Sequence, residues 1–381
     1  VLDTKVILET ALNRDEISPI EALVLLEQEP EILPELFEAA DEMNRRLNNN
    51  IVTFVRSKKV HYTNVCRAEC KFCSFFRRKN DRKAFTLEPD EVVEKLRPLG
   101  GAQQVEIQGG LNPDLSLDYH LTLLRRLRDA FPRTAIHGYS PAEIWFIARR
   151  VRSTPYDVLR RMKEAGLNSM PGDAAVILND KIRKKIAFNL LRTYEWIDIL
   201  KTAHRLAIPT TATILFGHLE DEIQVGEHLE TIKHIQRQTG GIQGVCPVPY
   251  LPEGSALSRN PRIDGPPDVQ QIFRIIAVTR LFFGRLVKNV IVDWTKIGFP
   301  QAVKSLEVGA NDFGTLAVDR YEVRAPEVNG PLAVDVSRLK TAVRKAGRIP
   351  IERRPFSLPH AAPAKKSARP AWQLAEEPAL I

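Results

Sequence analysis

Three thiols carry the strongest chemical signal in this sequence. They lie in the run Cys66-Arg-Ala-Glu-Cys70-Lys-Phe-Cys73, with the aromatic Phe72 just before the last of them. Thiolate sulfur is a soft, electron-rich donor that suits iron–sulfur centres or zinc. A closed tetrahedral zinc site needs a fourth Cys or His close by. The remaining cysteine, Cys246, is far downstream and outside any C-x2-C pattern, so it reads as a small buried hydrophobe. His61 precedes the run in a strand-like segment, as a neighbour rather than a ligand. Three thiolates on a cubane iron–sulfur cluster leave one iron for a ligand that is not protein. This reading is favoured over zinc and over structural or redox cysteines. Clustered thiols without a signal-peptide pattern set the expectation of a reducing, cytoplasmic setting and no disulfides.

Other polar motifs recur where short apolar runs end. Gln108-Gly109-Gly110 follows one such run, and its glycines let backbone approach a ligand closely or simply make a tight turn. His137-Gly-Tyr139-Ser140-Pro141 follows another; Ser140 is placed either to cap the helix that Pro141 opens or to touch a ligand. Asn168-Ser-Met-Pro-Gly-Asp173 makes a turn with free backbone amides. Thr210-Thr-Ala-Thr-Ile-Leu-Phe-Gly-His218-Leu-Glu220 alternates threonines, as if one face met a polar lumen. His218 and Glu220 at its end are the candidate proton-handling pair; a capping Glu and a hydrogen-bonded structural His are the alternative. Asp293-Trp294 ends a further run. Gly309-Ala-Asn-Asp-Phe-Gly314 reads as a glycine-bracketed loop, at the base of a cavity or in a simple turn.

The elements that must position these groups follow from periodicity. Residues 1–50 read as a helical extension, with Ser18-Pro19 as a helix start. Over 51–352, strands at Val60–Val65, Gln104–Ile107, Ala135–His137, Leu167–Ser169, Thr210–Phe216, Gln243–Val248 and Asn289–Asp293 alternate with amphipathic helices. This predicts an α/β fold, a TIM-type (β/α) barrel, complete or slightly open, because polar motifs follow nearly every strand. Residues 353–381 read as a flexible tail with Trp372 as its anchor. The 381 residues are 44% hydrophobic and 27% charged, the make-up of an ordinary globular protein. No apolar run is long enough to span a membrane. The net charge of +8 is scattered over helical faces, which argues against nucleic acid and leaves room for anionic small molecules.

Taken together, His61–Cys66, Cys70–Cys73, Gln108–Pro113, Ser140–Ile144, Thr211–Glu220, Thr239–Gly241 and Gly309–Gly314 resemble, in order, one radical S-adenosylmethionine (SAM) family. It contains cyclic dehypoxanthine futalosine synthase and aminofutalosine synthase of menaquinone biosynthesis, and the tyrosine-using subunit of deazaflavin (FO) synthase. Phe75-Phe76-Arg77, Leu215–His218 and the intact Gly309–Gly314 are similar to the futalosine cyclase. Ser169–Ala175 is closer to the deazaflavin subunit. Val176 stands where the family usually has Glu, and Asp319-Arg320 where it has acidic residues. The resemblance implies a [4Fe–4S] cluster on Cys66, Cys70 and Cys73, with SAM held near Phe72, Gln108, Gly109, Gly110 and Ser140. It implies SAM cleavage to a 5′-deoxyadenosyl radical and a small-molecule substrate, with cyclisation of dehypoxanthine futalosine set first and the tyrosine-using reaction as the alternative. A barrel that binds metal without catalysis is the reading from another class. An electron donor such as flavodoxin or ferredoxin is implied as partner.

Overall fold

From Ile51 onward, apolar strands too short to bury themselves alternate with helices that have one apolar face, so each strand needs its neighbours. The computed structural model describes residues 3–99, 102–324 and 332–356. Eight strands run in chain order around a barrel: β1 (Ile51–Thr63), β2 (Gln104–Gly109), β3 (Ala135–Gly138), β4 (Leu167–Ser169), β5 (Thr210–Phe216), β6 (Ile242–Pro249), β7 (Asn289–Val290) and β8 (Asp312–Val318). Parallel ladders join β4-β3-β2-β1-β8 and β5-β6-β7. Two thin seams close the ring, a parallel bridge from Met170 to Thr210 and another from Ile291 to Asp312. β4 and β7 are only three and two residues long, too short to sustain a full ladder on both sides. The expected barrel is therefore complete, with its weak places at β4/β5 and β7/β8.

The first strand differs from the expectation. β1 begins at Ile51, not Val60, and is thirteen residues long. Its charged middle, Arg56-Ser-Lys-Lys59, masks it in the sequence. The glycine-bracketed segment also differs: Asp312-Phe313-Gly314 opens β8 at the base of the barrel rather than forming a free loop.

A ninth strand, β9 (Ile349–Glu352), pairs in parallel with Ile51–Phe54, the part of β1 that precedes its ladder with β2. The next residue, expected to begin a tail, belongs to the barrel base. The Arg353 amide donates to Phe54 O at 2.9 Å, and its Nε donates to Asp312 Oδ2 at 2.5 Å. Residues 357–381, Trp372 among them, lie outside the described residues.

The N-terminal extension is three helices, Thr4–Arg14, Pro19–Glu27 and Leu33–Asn48. Ser18 caps the second, accepting from the Glu21 amide at 3.3 Å, while Glu21 answers by accepting from the Ser18 amide at 2.7 Å. These helices pack on the barrel helix Val269–Phe283, where Phe37 meets Phe273 edge-on at 6.2 Å. That helix carries Arg280, fully buried, whose guanidinium donates to Gly309 O, Lys288 O and Asn311 Oδ1 at 2.8, 3.1 and 2.6 Å. Burial pulls its pKa down to about 9. It ties the segment before β8 to the outer helix. Arg280→Met should cost on the order of 3 kcal/mol, since three acceptors lose their donor at once, and the denaturant midpoint reads it.

Candidate active site

Apolar strands deliver polar residues to the C-terminal end of the ring, and the thiol loop sits on the end of β1. The loop is pinned from all sides by backbone. The Cys66 amide donates to Arg77 O at 3.1 Å, Arg67 to Leu111 O at 3.0 Å, and Cys73 to Cys70 O at 3.1 Å. Asn64, one residue beyond β1, accepts from the Phe85 amide at 2.8 Å and donates to Lys83 O at 2.9 Å. Arg77 folds back to donate to Ser74 O and Phe76 O at 2.8 and 2.7 Å.

Cys66, Cys70 and Cys73 line one cavity of about 330 Å³, with Phe72, Gln108, Gly109, Gly110 and Ser140 on its walls. Among the described residues, no trio of His, Cys, Asp or Glu is arranged to hold a single metal ion. Burial pushes the Cys66 thiol up to about 11; burial and the neighbouring sulfurs push Cys70 well up too. Three thiolates are tolerable in such a place only opposite a strongly cationic centre. The donor set and the open cavity beside it fit a thiolate-held iron–sulfur cluster with room for a further ligand.

The glycines have a concrete reason. A Cβ on Gly110 would lie 2.3 Å from Val65 O and 2.8 Å from Cys66 Cβ; one on Gly109 would lie 2.3 Å from the Tyr62 ring. The end of β2 thus lies directly against the thiol loop, with Tyr62 behind it. Tyr62 donates to Glu143 Oε1 at 2.6 Å, and the Ser140 amide and hydroxyl both donate to Glu143 Oε2, at 2.8 and 2.7 Å. Ser140 also accepts from the Glu143 amide at 3.4 Å, so it is a helix cap that in addition lines the cavity.

Burial raises the Glu143 carboxyl from 4.5 to about 7, against the pull of Tyr62 and Ser140. The folded chain therefore binds more protons than the unfolded one between these values. The stability this linkage contributes is complete below pH 4.5 and is lost as pH rises through 7. On the order of 3 kcal/mol is at stake. Glu143→Gln should flatten the pH dependence of unfolding across that window, measured by denaturant titration at several pH values.

The opposite wall is a charge network. Lys59 on β1 lies 3.3 Å from Glu322 Oε2, and Lys296 lies 2.7 Å from Glu322 Oε1. Burial alone would raise Glu322, but Lys296 and Lys59 outweigh it and hold the carboxyl well below its usual range. His61 lines the same cavity; its Nδ1 is 2.9 Å from Asp319 Oδ1 and its ring packs on Phe75 at 4.7 Å. Asp173 accepts from Gln108 Nε2 at 3.3 Å, and burial pushes its carboxyl up. A smaller chamber of about 140 Å³ continues down the barrel between Glu106, His137, Thr211, Thr213, Cys246 and Arg353. Thr211 and Thr213 of β5 face this polar lumen, while Thr210 pairs with His204 at 2.9 Å, and Cys246 borders the lumen away from the three thiols.

Val176 lines the cavity with φ 54°, a left-handed conformation that a β-branched residue adopts only under constraint. The constraint is visible. Leu215 N donates to Val176 O at 2.8 Å. The buried Arg183 guanidinium donates to Ala174 O at 3.1 Å, to Ala175 O, and to Leu191 O at 2.5 Å.

His218 and Glu220 meet each other rather than the cavity. His218 Nδ1 lies 2.7 Å from Glu220 Oε2, and Glu220 accepts from the amides of Gly217 and His218, the latter at 2.9 Å. Neither side chain lines the cavity; the pair holds the turn after β5. Lys59, Asp173, Asp293, Lys296 and Glu322 line the cavity without having been singled out from the sequence as site residues. Lys59 sits in the masked part of β1, and Lys296 and Glu322 lie in no recognisable motif.

The comparisons agree with this geometry. Residues 60–232 match the model of the radical SAM superfamily, and residues 239–358 that of the CofH/MqnC C-terminal region. The 5-amino-6-(D-ribitylamino)uracil–L-tyrosine 4-hydroxyphenyl transferase of Archaeoglobus fulgidus is 38% identical over 322 residues, 84% of this chain and 92% of that protein. The enzyme of the same name from Methanocaldococcus jannaschii is 35% identical over 343 residues, 89% of this chain and 95% of that protein. In fold, the chain resembles the crystal structure of methylornithine synthase (TM-score 0.71, 17% identity, 91% of this chain and 97% of that one). It also resembles that of HydG, a maturase of the iron-only hydrogenase (TM-score 0.69, 16% identity, 91% and 75%). The two transferases carry the name of the alternative set out from the sequence, not of futalosine cyclisation, and they give menaquinone biosynthesis no support. The chain belongs to the radical SAM superfamily, whose members use a [4Fe–4S] cluster and SAM, in the branch that ends in the CofH/MqnC C-terminal region.

Proposed function

We propose that this enzyme joins the 4-hydroxyphenyl group of L-tyrosine to 5-amino-6-(D-ribitylamino)uracil, the reaction named for its relatives. The observation that carries the reading is near-complete alignment with those transferases, 92% of the length of one and 95% of another. A mixed-charge cavity wall supports it. The chemistry supplied by the bound cluster and SAM is a 5′-deoxyadenosyl radical, able to take a hydrogen atom from an otherwise unreactive substrate.

The chain's own part is to hold, orient and keep out water. Cys66, Cys70 and Cys73 hold the cluster. Gly109 and Gly110 let the end of β2 pack directly on Tyr62 and the thiol loop, which brings this edge of the cavity beside the cluster ligands. Lys59 and Lys296 present cations to an amino-acid carboxylate, and Asp173 and Asp293 present carboxylates to its ammonium group. Both charges of an amino-acid zwitterion then find partners in one cavity. Phe72, Leu215 and Val176 supply the apolar part of the wall and exclude water from a reactive radical.

The test is anaerobic turnover of reconstituted enzyme with SAM and a reductant. With tyrosine and the ribitylaminouracil, 5′-deoxyadenosine and the coupled product should form together. Deoxyadenosine release driven by dehypoxanthine futalosine, and not by tyrosine, would overturn the proposal.

A further inference from the structure

Below the cavity that the thiols share, the barrel is not filled. Barrel lumens are ordinarily packed by branched apolar side chains. Here the chamber of about 140 Å³ is walled by Gln104, Glu106, His137, Thr211, Thr315 and Arg353. Lys59, Gln108, Asp173 and Thr213 line both spaces, so one ligand can reach from the upper into the lower. Arg353, held by Asp312 at 2.5 Å, stands at the lower end. At about 30 Å³ each, the chamber takes about four or five waters.

Three polar atoms on this wall have no hydrogen-bond partner among the described residues. Gln104 is 3% exposed, and its Oε1 meets no donor. Glu106 accepts from Gln104 at 3.0 Å, from Ser57 at 3.4 Å and from Thr315, all at Oε1, which leaves Oε2 open. His137 uses Nδ1 on Ser169 at 2.7 Å, which leaves Nε2. Burial takes the His137 ring down to about 3, so it is neutral. Thr211 accepts from the Gly172 amide at 3.2 Å and keeps its own proton to give. Acceptors and donors therefore stand side by side. That mixture suits hydroxyls, each of which gives one proton and accepts others. It does not suit a phenol ring, whose single polar atom would strand the rest, nor a second carboxylate beside Glu106.

We infer, resting on the transferase reading above, that this chamber is the subsite for the ribityl chain of the uracil substrate, an unbranched tail whose four hydroxyls replace the waters. The uracil ring stays in the upper cavity beside the tyrosine, and its tail points down the barrel. The same contacts select the substrate. A site built to bond hydroxyls rejects an analogue without them, because its buried polar groups then go unpaired.

The test sets 5-amino-6-(D-ribitylamino)uracil against 5,6-diaminouracil, which lacks the tail, on holoenzyme reconstituted without oxygen. Calorimetry reads the affinity of the unreduced enzyme, saturated with SAM and tyrosine, for each uracil. Formation of coupled product after reduction reads kcat and KM. The wild type should bind the ribityl compound at least about tenfold more tightly and prefer it at least about 10²-fold in kcat/KM. Gln104→Met keeps the length of the side chain but removes its amide, and should raise the KM for the ribityl compound about tenfold with the KM for tyrosine unchanged. Cys246→Leu, at a residue outside the upper cavity, fills part of the chamber. It should erase the preference while turnover of diaminouracil with tyrosine stays at the wild-type level. Equal wild-type affinity for the two uracils overturns the subsite, as does a rise in the tyrosine KM in place of the uracil KM, or an equal loss with both uracils in both variants. Each of those results leaves the transferase reading standing. A wild type that couples tyrosine to neither uracil overturns that reading, and the subsite with it.

Discussion

Cys70→Ala is expected to abolish SAM cleavage while leaving the chain folded. Cys70 is the most deeply buried of the three thiols, 7% exposed, and it stands between the other two in the loop. Its loss removes one of the three protein anchors, and two thiolates cannot hold a cubane cluster on one side while another ligand occupies the far iron. The cost to folding is small by comparison. Trimming a sulfur from a partly open cavity wall is worth about 1 kcal/mol, since the space adjoins an existing cavity rather than creating one. The measurement is threefold: iron and sulfide per chain after reconstitution, 5′-deoxyadenosine released with reductant, and the thermal midpoint. Iron content should fall sharply and deoxyadenosine to background, with the midpoint nearly unchanged. Turnover retained by the alanine variant removes the cluster assignment, and with it the radical reaction.

Gly110→Ala is expected to be almost as damaging, by geometry rather than ligation. The added carbon would sit 2.3 Å from a backbone oxygen of the thiol loop and 2.8 Å from Cys66 Cβ. No flexible side chain can yield there. Either the end of β2 moves out of the cavity or Cys66 moves away from its partners. A displacement near 1 Å in a positioned site costs about 10²-fold in rate, and the overpacking costs about 1–3 kcal/mol. Gly226→Ala is the control. Gly226 lies within the helix Glu222–Thr239, and its added Cβ meets nothing within 4 Å. That change should leave activity intact and raise stability by up to about 1 kcal/mol. Equal loss in both variants would mean that the Gly110 effect is not steric at the cluster loop.

The parts legible in the sequence are those that depend on residue type and local spacing. The three thiols, the glycine pair after β2, the Ser140 cap and most strands were readable, because each is a local pattern with a local reason. The failures share a cause. β1 was cut short because Arg56–Lys59 breaks apolar alternation; yet a barrel strand turns every second side chain into a lumen, and here the lumen is charged. The segment Gly309–Gly314 looks like a loop in one dimension, but Asp312 bridges Ile291 and takes Arg353, a partner 41 residues later. For His218 and Glu220 the sequence left two roles open, and the turn after β5 gives the pair the capping geometry, with both side chains accepting from backbone amides.

Residue identity alone therefore determined the cofactor chemistry: a spacing of three soft donors needs no fold to announce a cluster. Tertiary structure decided what that chemistry is aimed at. Lys59, Asp173, the Asp293/Lys296 pair and Glu322 come from four separate places in the chain, and only barrel closure sets them around one cavity. Their charges acquire meaning there because burial removes the water that would otherwise screen them, so that partner and position, rather than residue type, set which group is charged and what it can hold.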